Sequence, residues 1–84
     1  MTANEYQRLA SRTIRKDLTV LGTEAHALHG LSAEVGEIHG LYQKTYQGHP
    51  MDIEHLKKEI GDCLWFIAEL CTANQFELED IMNM

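Results

Sequence analysis

Apolar side chains recur at steps of three and four along most of this chain, and the pattern breaks at only a few points. Thr2 stands three residues before Glu5, the spacing of a capping box, and Tyr6, Leu9, Ala10 and Ile14 follow on one helical stripe. This predicts a first helix that ends near Asp17. The β-branched patch from Leu18 to Leu21, followed by Gly22, predicts an extended connection, with Thr23 capping a second helix. From Glu24 onward Ala27, Leu28, Leu31, Val35, Ile38 and Tyr42 keep an apolar stripe that runs to about Gln47. Gly48, His49 and Pro50 stop it, and Asp52 takes the N-cap position ahead of Leu56, Ile60, Cys63, Leu64, Ile67, Leu70 and Cys71. Asn74 is suited to a left-handed cap, after which Phe76, Leu78, Ile81 and Met82 predict a short fourth helix.

Helices joined by short loops pack as an antiparallel bundle, so the expected fold is all-α, with three main helices and a short C-terminal one in a single domain over 1–84. A chain of 84 residues leaves much of its surface unburied, and self-association as a homodimer or homotetramer would supply the missing apolar contact. Composition then narrows the function. The mean hydropathy of -0.30 and the lack of a long apolar run argue against a membrane partner. A net charge of -6, from 13 acids against 7 Lys and Arg, argues against a nucleic-acid polymer. Cys63 and Cys71 lie about 12 Å apart along one helix and cannot pair, and no apolar leader precedes the first helix, so a reduced cytoplasmic interior is expected.

An acidic chain can still bind a phosphorylated small molecule through a divalent cation, and the acids here fall in a pattern that suits one. The second helix carries Glu34 and Glu37 and the third carries Glu59 and Asp62, each pair three residues apart and therefore on one face. On a helical wheel both pairs border the apolar stripe, so packing the stripes together brings all four towards one seam. Close carboxylates repel unless protons or hard cations neutralise them, and magnesium matches an all-oxygen ligand set. By spacing alone such pairs more often line a solvated face; their position beside the stripe on both helices favours the seam.

At these residues the chain resembles the MazG-like family of all-α nucleoside triphosphate pyrophosphohydrolases, whose hallmark is Glu-x-x-Glu on one helix and Glu-x-x-Asp on the next. The resemblance runs from about Glu5 to Met84 and is strongest in Leu-Ser-Ala-Glu-Val-Gly-Glu-Ile and Lys-Lys-Glu-Ile-Gly-Asp-Cys-Leu-Trp-Phe-Ile-Ala. It implies hydrolysis of a nucleoside triphosphate between the α and β phosphates, giving a nucleoside monophosphate and pyrophosphate. Glu34, Glu37, Glu59 and Asp62 would hold magnesium, with manganese as the alternative ion, and Glu34 or Glu37 would orient or deprotonate the attacking water. Related families use such a seam on several nucleotides, so the base stays open. Two departures stand out: Ala33 occupies a position where many relatives have a further acid, and the chain stops at Met84, before a basic segment that relatives use on phosphates. A non-catalytic helical dimerisation or nucleotide-binding module is the alternative reading.

Other residues carry weaker expectations. Lys44, on the same helix as Glu37, is a candidate phosphate contact, whereas Lys57 and Lys58 read as ordinary surface. Trp65 and Phe66 are candidate walls for a nucleobase, with packing against the first helix or another subunit as the competing role for Trp65. His26 and His29 have helical ligand spacing, but no third ligand accompanies them, so all five histidines read as solvated. Gly36 and Gly40, four apart, suggest a close helix approach.

Overall fold

The computed structural model describes residues 1–84 and contains four helices, α1 (Ala3–Ser11), α2 (Val20–Tyr46), α3 (Ile53–Ala73) and α4 (Leu78–Met82). The all-α fold is as the sequence predicts. Its long axis of 43 Å matches the roughly 40 Å expected of the 27-residue α2.

The capping box at Thr2 is present: its hydroxyl accepts from the Glu5 N–H at 3.0 Å while Glu5 accepts from the Thr2 N–H at 3.2 Å. The helix it starts ends at Ser11, six residues short of Asp17. Polar side chains take its last carbonyls, with Ser11 Oγ donating to the Arg8 carbonyl, Thr13 Oγ1 to that of Ala10 and Lys16 Nζ to that of Ser11. The second start also moves. Thr19, not Thr23, is the N-cap of α2, accepting from the Gly22 N–H; Thr19 keeps the extended backbone expected of the patch, while Val20 and Leu21 enter the first helical turn. Thr23 lies buried inside the helix with its hydroxyl on the Thr19 carbonyl.

Asp52 caps α3 as expected, accepting from the His55 N–H at 3.1 Å. Both long helices end in the same motif. At the end of α2 the N–H of His49 reaches the Lys44 carbonyl, the N–H of Gly48 reaches that of Thr45, and Gly48 supplies the left-handed φ of 101°. At the end of α3, Phe76 and Gln75 donate to Cys71 and Thr72, and the left-handed residue is Gln75 at φ 60°, not Asn74. Asn74 uses its side-chain amide instead to donate to the Leu70 carbonyl.

Five residues are too few to hold a helix by themselves, and α4 has no side-chain cap of its own. Its cap comes from α1. Gln7 Oε1 accepts from the Leu78 N–H and its amide donates to the Phe76 carbonyl, both at 2.7 Å, while Asn4 Oδ1 accepts from the Glu79 N–H at 3.2 Å.

Helix α3 is the centre of the molecule, with α2 on one side, α1 on another, and α4 against α1. The pairing of α2 with α3 is antiparallel: His26 meets Glu69, Gly30 meets Phe66, and Glu37 meets His55 and Glu59. The face α2 turns inward differs from the predicted stripe. Ala27, Leu31 and Ile38 of that stripe are covered, together with Thr23, Gly30, Glu34 and Leu41, whereas Leu28, Val35 and Tyr42 are exposed, as are Ile60, Leu64 and Ile67 on α3. The buried apolar core is therefore small: Ala10, Ala27, Leu41, Ala68, Cys71 and Leu78. The largest fully buried side chains are two acids, Glu59 and Glu69, each 1% exposed. No helix is long and apolar enough to cross a membrane.

Candidate metal centre

Ionised carboxylates avoid the interior unless a partner neutralises them, so a fully buried Glu59 demands an account of its surroundings. Oxygens of Glu34, Glu59 and Asp62 lie within 4.8 Å of one another, and a second set, Glu37, His55 and Glu59, meets the same limit. All four acids singled out in the sequence thus converge on one part of the α2–α3 seam, with Glu59 common to both sets. They do not border the inward face equally. Glu34 lies within the inward face of α2, half-buried, while Glu37 is exposed at its margin.

Hydrogen bonding leaves the acids incompletely satisfied. Glu59 Oε1 is 3.0 Å from His55 Nε2 and 3.9 Å from Lys58 Nζ, but Glu59 Oε2 and Glu34 Oε2 are buried without a donor. A proton on Glu34 would supply the missing donor, and a bound cation would satisfy both oxygens together. Hydrogen bonding to Glu59, then burial, then the charges of Glu59, Asp62 and Glu37, push Glu34 up to about 7. Glu59 moves the other way, held below its ordinary value first by the Glu34 hydrogen bond, against the opposing effect of burial.

Three further side chains report on this charge. Cys63, on the next residue after Asp62, has its thiol raised by burial and then by Glu34, Glu59 and Asp62. Tyr6 of α1 is raised by burial and by Asp62, so α1 flanks the acids from the far side of α3. Lys58, read from the sequence as plain surface, has its ammonium 3.5 Å from Asp62 Oδ2 and is raised by Asp62 and then Glu59. It is an exposed countercharge to the acids.

The remaining candidates are placed as follows. Lys44 is exposed and makes no ion pair, although it lies on the helix that carries Glu34 and Glu37. Trp65 turns to the first connection, donating its indole N–H to Thr13 Oγ1 at 3.1 Å, and packs edge-on to Phe66. Phe66 lies across Gly30, where a Cβ would fall 2.2 Å from the ring. That is the close approach between the helices; Gly36 and Gly40, expected to mark it, have open space beside them.

Two of the five histidines are not solvated bystanders. His55 faces Glu59, and His26 Nδ1 bonds both oxygens of the buried Glu69 at 2.9 and 3.0 Å, with Phe66 beside it. The sequence reading missed Glu69; the available signal was its position seven residues after Asp62, on the same helical face. The surface hollows lie elsewhere. The most apolar, about 300 Å³, is walled by Met1, Tyr6, Leu64, Leu78 and Met82 between α1, α3 and α4, and none of the hollows is lined by the four acids. Glu59 is buried within the seam, and Glu37 is exposed at its edge.

No family model, curated protein or solved structure matches this chain.

Proposed function

We propose that the protein is a divalent-cation-dependent nucleoside triphosphate pyrophosphohydrolase, using magnesium or manganese and releasing a nucleoside monophosphate and pyrophosphate. The observation that carries this reading is the buried, donorless pair of oxygens on Glu34 and Glu59 within a four-acid seam. A proton on Glu34, which is pushed up to about 7, satisfies such a pair up to neutral pH, and above it a hard cation is the partner that matches its chemistry. Glu34, Glu59 and Asp62 fit that group by charge, donor type and proximity. The cation supplies neutralisation of phosphate oxygens and acidification of water.

The chain's own residues supply the rest. Of the two candidates, Glu34 and Glu37, the exposed Glu37 would be the one to orient the attacking water and take its proton. Lys58, beside Asp62, and Lys44, on the helix that carries Glu34 and Glu37, would offer positive charge to the phosphates. The apolar hollow next to Tyr6, which itself senses Asp62, is a candidate for the nucleobase. Glu37 is exposed and Asp62 partly exposed in a single chain, so water reaches the edge of the seam. The exposed apolar side chains on α2 and α3 support self-association, as a homodimer or homotetramer, as the means of enclosing it.

Incubating the protein with a panel of nucleoside triphosphates and magnesium, and measuring pyrophosphate, tests this. At least one nucleotide is expected to release pyrophosphate, and Glu59→Gln, with folding checked by circular dichroism, is expected to reduce the rate by roughly 100-fold. Release that is absent for every nucleotide, or equal in the variant, overturns the enzymatic reading.

A further inference from the structure

Glu69 is a buried acid that stands apart from the four of the seam. It is 1% exposed, its two oxygens share one donor, His26 Nδ1 at 2.9 and 3.0 Å, and no lysine or arginine pairs with it. Taking a carboxylate out of water for a single imidazole is costly, and what it secures is the ring. An ionised carboxylate accepts only from an N–H, so Nδ1 carries the proton and Nε2 of the neutral ring is a free acceptor. The ring is 44% exposed, and Nε2 makes no hydrogen bond within the chain. A buried acid that sets the tautomer and orientation of a half-exposed histidine aims the other nitrogen at a ligand.

The helices set where that nitrogen lies. His26, Gly30 and Glu34 are four apart and form one row along α2, and Glu69, Phe66 and Asp62 form the facing row on α3. Eight residues place His26 about 12 Å along α2 from Glu34. Between them Gly30 has no side chain, and the half-buried ring of Phe66 occupies that gap, 5.9 Å from the His26 ring. One strip therefore carries acids at one end, an aromatic ring in the middle and an aimed acceptor at the other, the order of phosphates, base face and base edge in a nucleotide. We propose, resting on the nucleotide reading above, that His26 is a specificity-determining residue whose Nε2 accepts a hydrogen bond from an amine or imide N–H on the base of a nucleotide with its phosphates at the four acids. Glu69 is the positioning residue behind it. The hollow beside Tyr6 is the competing place for the base.

His26→Asn separates recognition from structure, because an asparagine amide can replace Nδ1 as the donor to Glu69 while Nε2 is removed. With nucleoside triphosphates and magnesium, this variant is expected to keep the parent Tm, to raise KM for the preferred nucleotide about 10-fold with little change in kcat, and to narrow the preference among bases. His26→Ala, which leaves Glu69 without a donor, is expected to lower the Tm as well. Binding is read without turnover from the histidine ring nitrogens of the parent chain, by proton–nitrogen NMR with magnesium and the α,β-methylene analogues of the ribo- and deoxyribonucleoside triphosphates. His26 Nε2 is expected to shift. Unchanged KM and base preference in His26→Asn, or analogue-induced shifts at Tyr6 and Leu64 with none at His26, overturn the assignment while the hydrolase reading stands. Shifts at His26 in a chain that releases no pyrophosphate keep the assignment and remove the hydrolase reading, and a chain that neither binds an analogue nor releases pyrophosphate removes both.

Discussion

Glu34 and Glu59 cannot both carry a full charge at the α2–α3 seam without a donor or a cation between them, and this makes stability depend on pH. Folded Glu34 titrates at about 7 against an ordinary 4.5, so between those values the folded chain holds more protons than the unfolded one. Stability from this group is therefore present below its ordinary value and is lost as pH rises through 7. Glu59, held low, contributes in the opposite sense, above its ordinary value, and loses that contribution as pH falls. In chelator-containing buffer the Tm is expected to fall as pH rises from about 5 to 7.5, and Glu34→Gln is expected to flatten the fall. Equal slopes in the two proteins would remove Glu34 as its source. The pairing of the acids is legible in the sequence because residues three apart share a helix face whatever they pack against. His55 beside Glu59 is legible on the same ground, being one turn earlier on α3, whereas its nearness to Glu37 is not, because Glu37 comes from another helix and only packing brings the two together.

At the scale of the element, α2 and α3 approach most closely where Gly30 meets the ring of Phe66. A methyl group there has nowhere to go, and an aromatic ring pinned between Trp65 and His26 cannot swing aside as a flexible side chain would. Elsewhere on the same helix alanine should help, since it is better than glycine in a helix by about 1 kcal/mol. Gly30→Ala is thus expected to lower the Tm while Gly40→Ala, with open space beside it, raises it. A rise in both would show that Phe66 is not the close contact. This distinction lies outside sequence patterning, which treats every mid-helix glycine alike. The helices themselves are legible where a single signal decides, as at Thr2, Asp52 and Gly48. The boundaries move where several polar residues compete: Ser11, Thr13 and Lys16 draw off the last carbonyls of α1, and Thr19 and Thr23 can both cap α2. The cap at Gln75 is illegible for a related reason, because Asn74 is the better left-handed residue but is engaged with Leu70.

At the scale of the whole molecule, the positions that the periodicity marks as core divide into two populations. One pairs α2 with α3, and includes acids and a glycine. The other remains outside: Leu21, Leu28, Val35 and Tyr42 on α2, and Ile53, Ile60 and Ile67 on α3, are all exposed and all spaced by seven. Seven-residue spacing is what keeps one face of a helix in register with a neighbouring helix, so both stripes are built for partners that a single chain does not provide. Under the proposed self-association, a second copy would present the same stripes in return. Covering the exposed half of each such side chain is worth about 1 kcal/mol, enough in sum to offset the repulsion of two chains each at -6. Sedimentation velocity is expected to show a dimer or larger species at micromolar concentration. Because Leu28 and Ile60 are 52% and 54% exposed in the single chain, Leu28→Glu and Ile60→Glu are expected to leave its helicity intact while weakening association by at least about 10-fold. A parent chain that sediments as a monomer at every concentration, or variants that associate equally well, would leave the acid seam open to water and shift the search for its enclosure to a different partner.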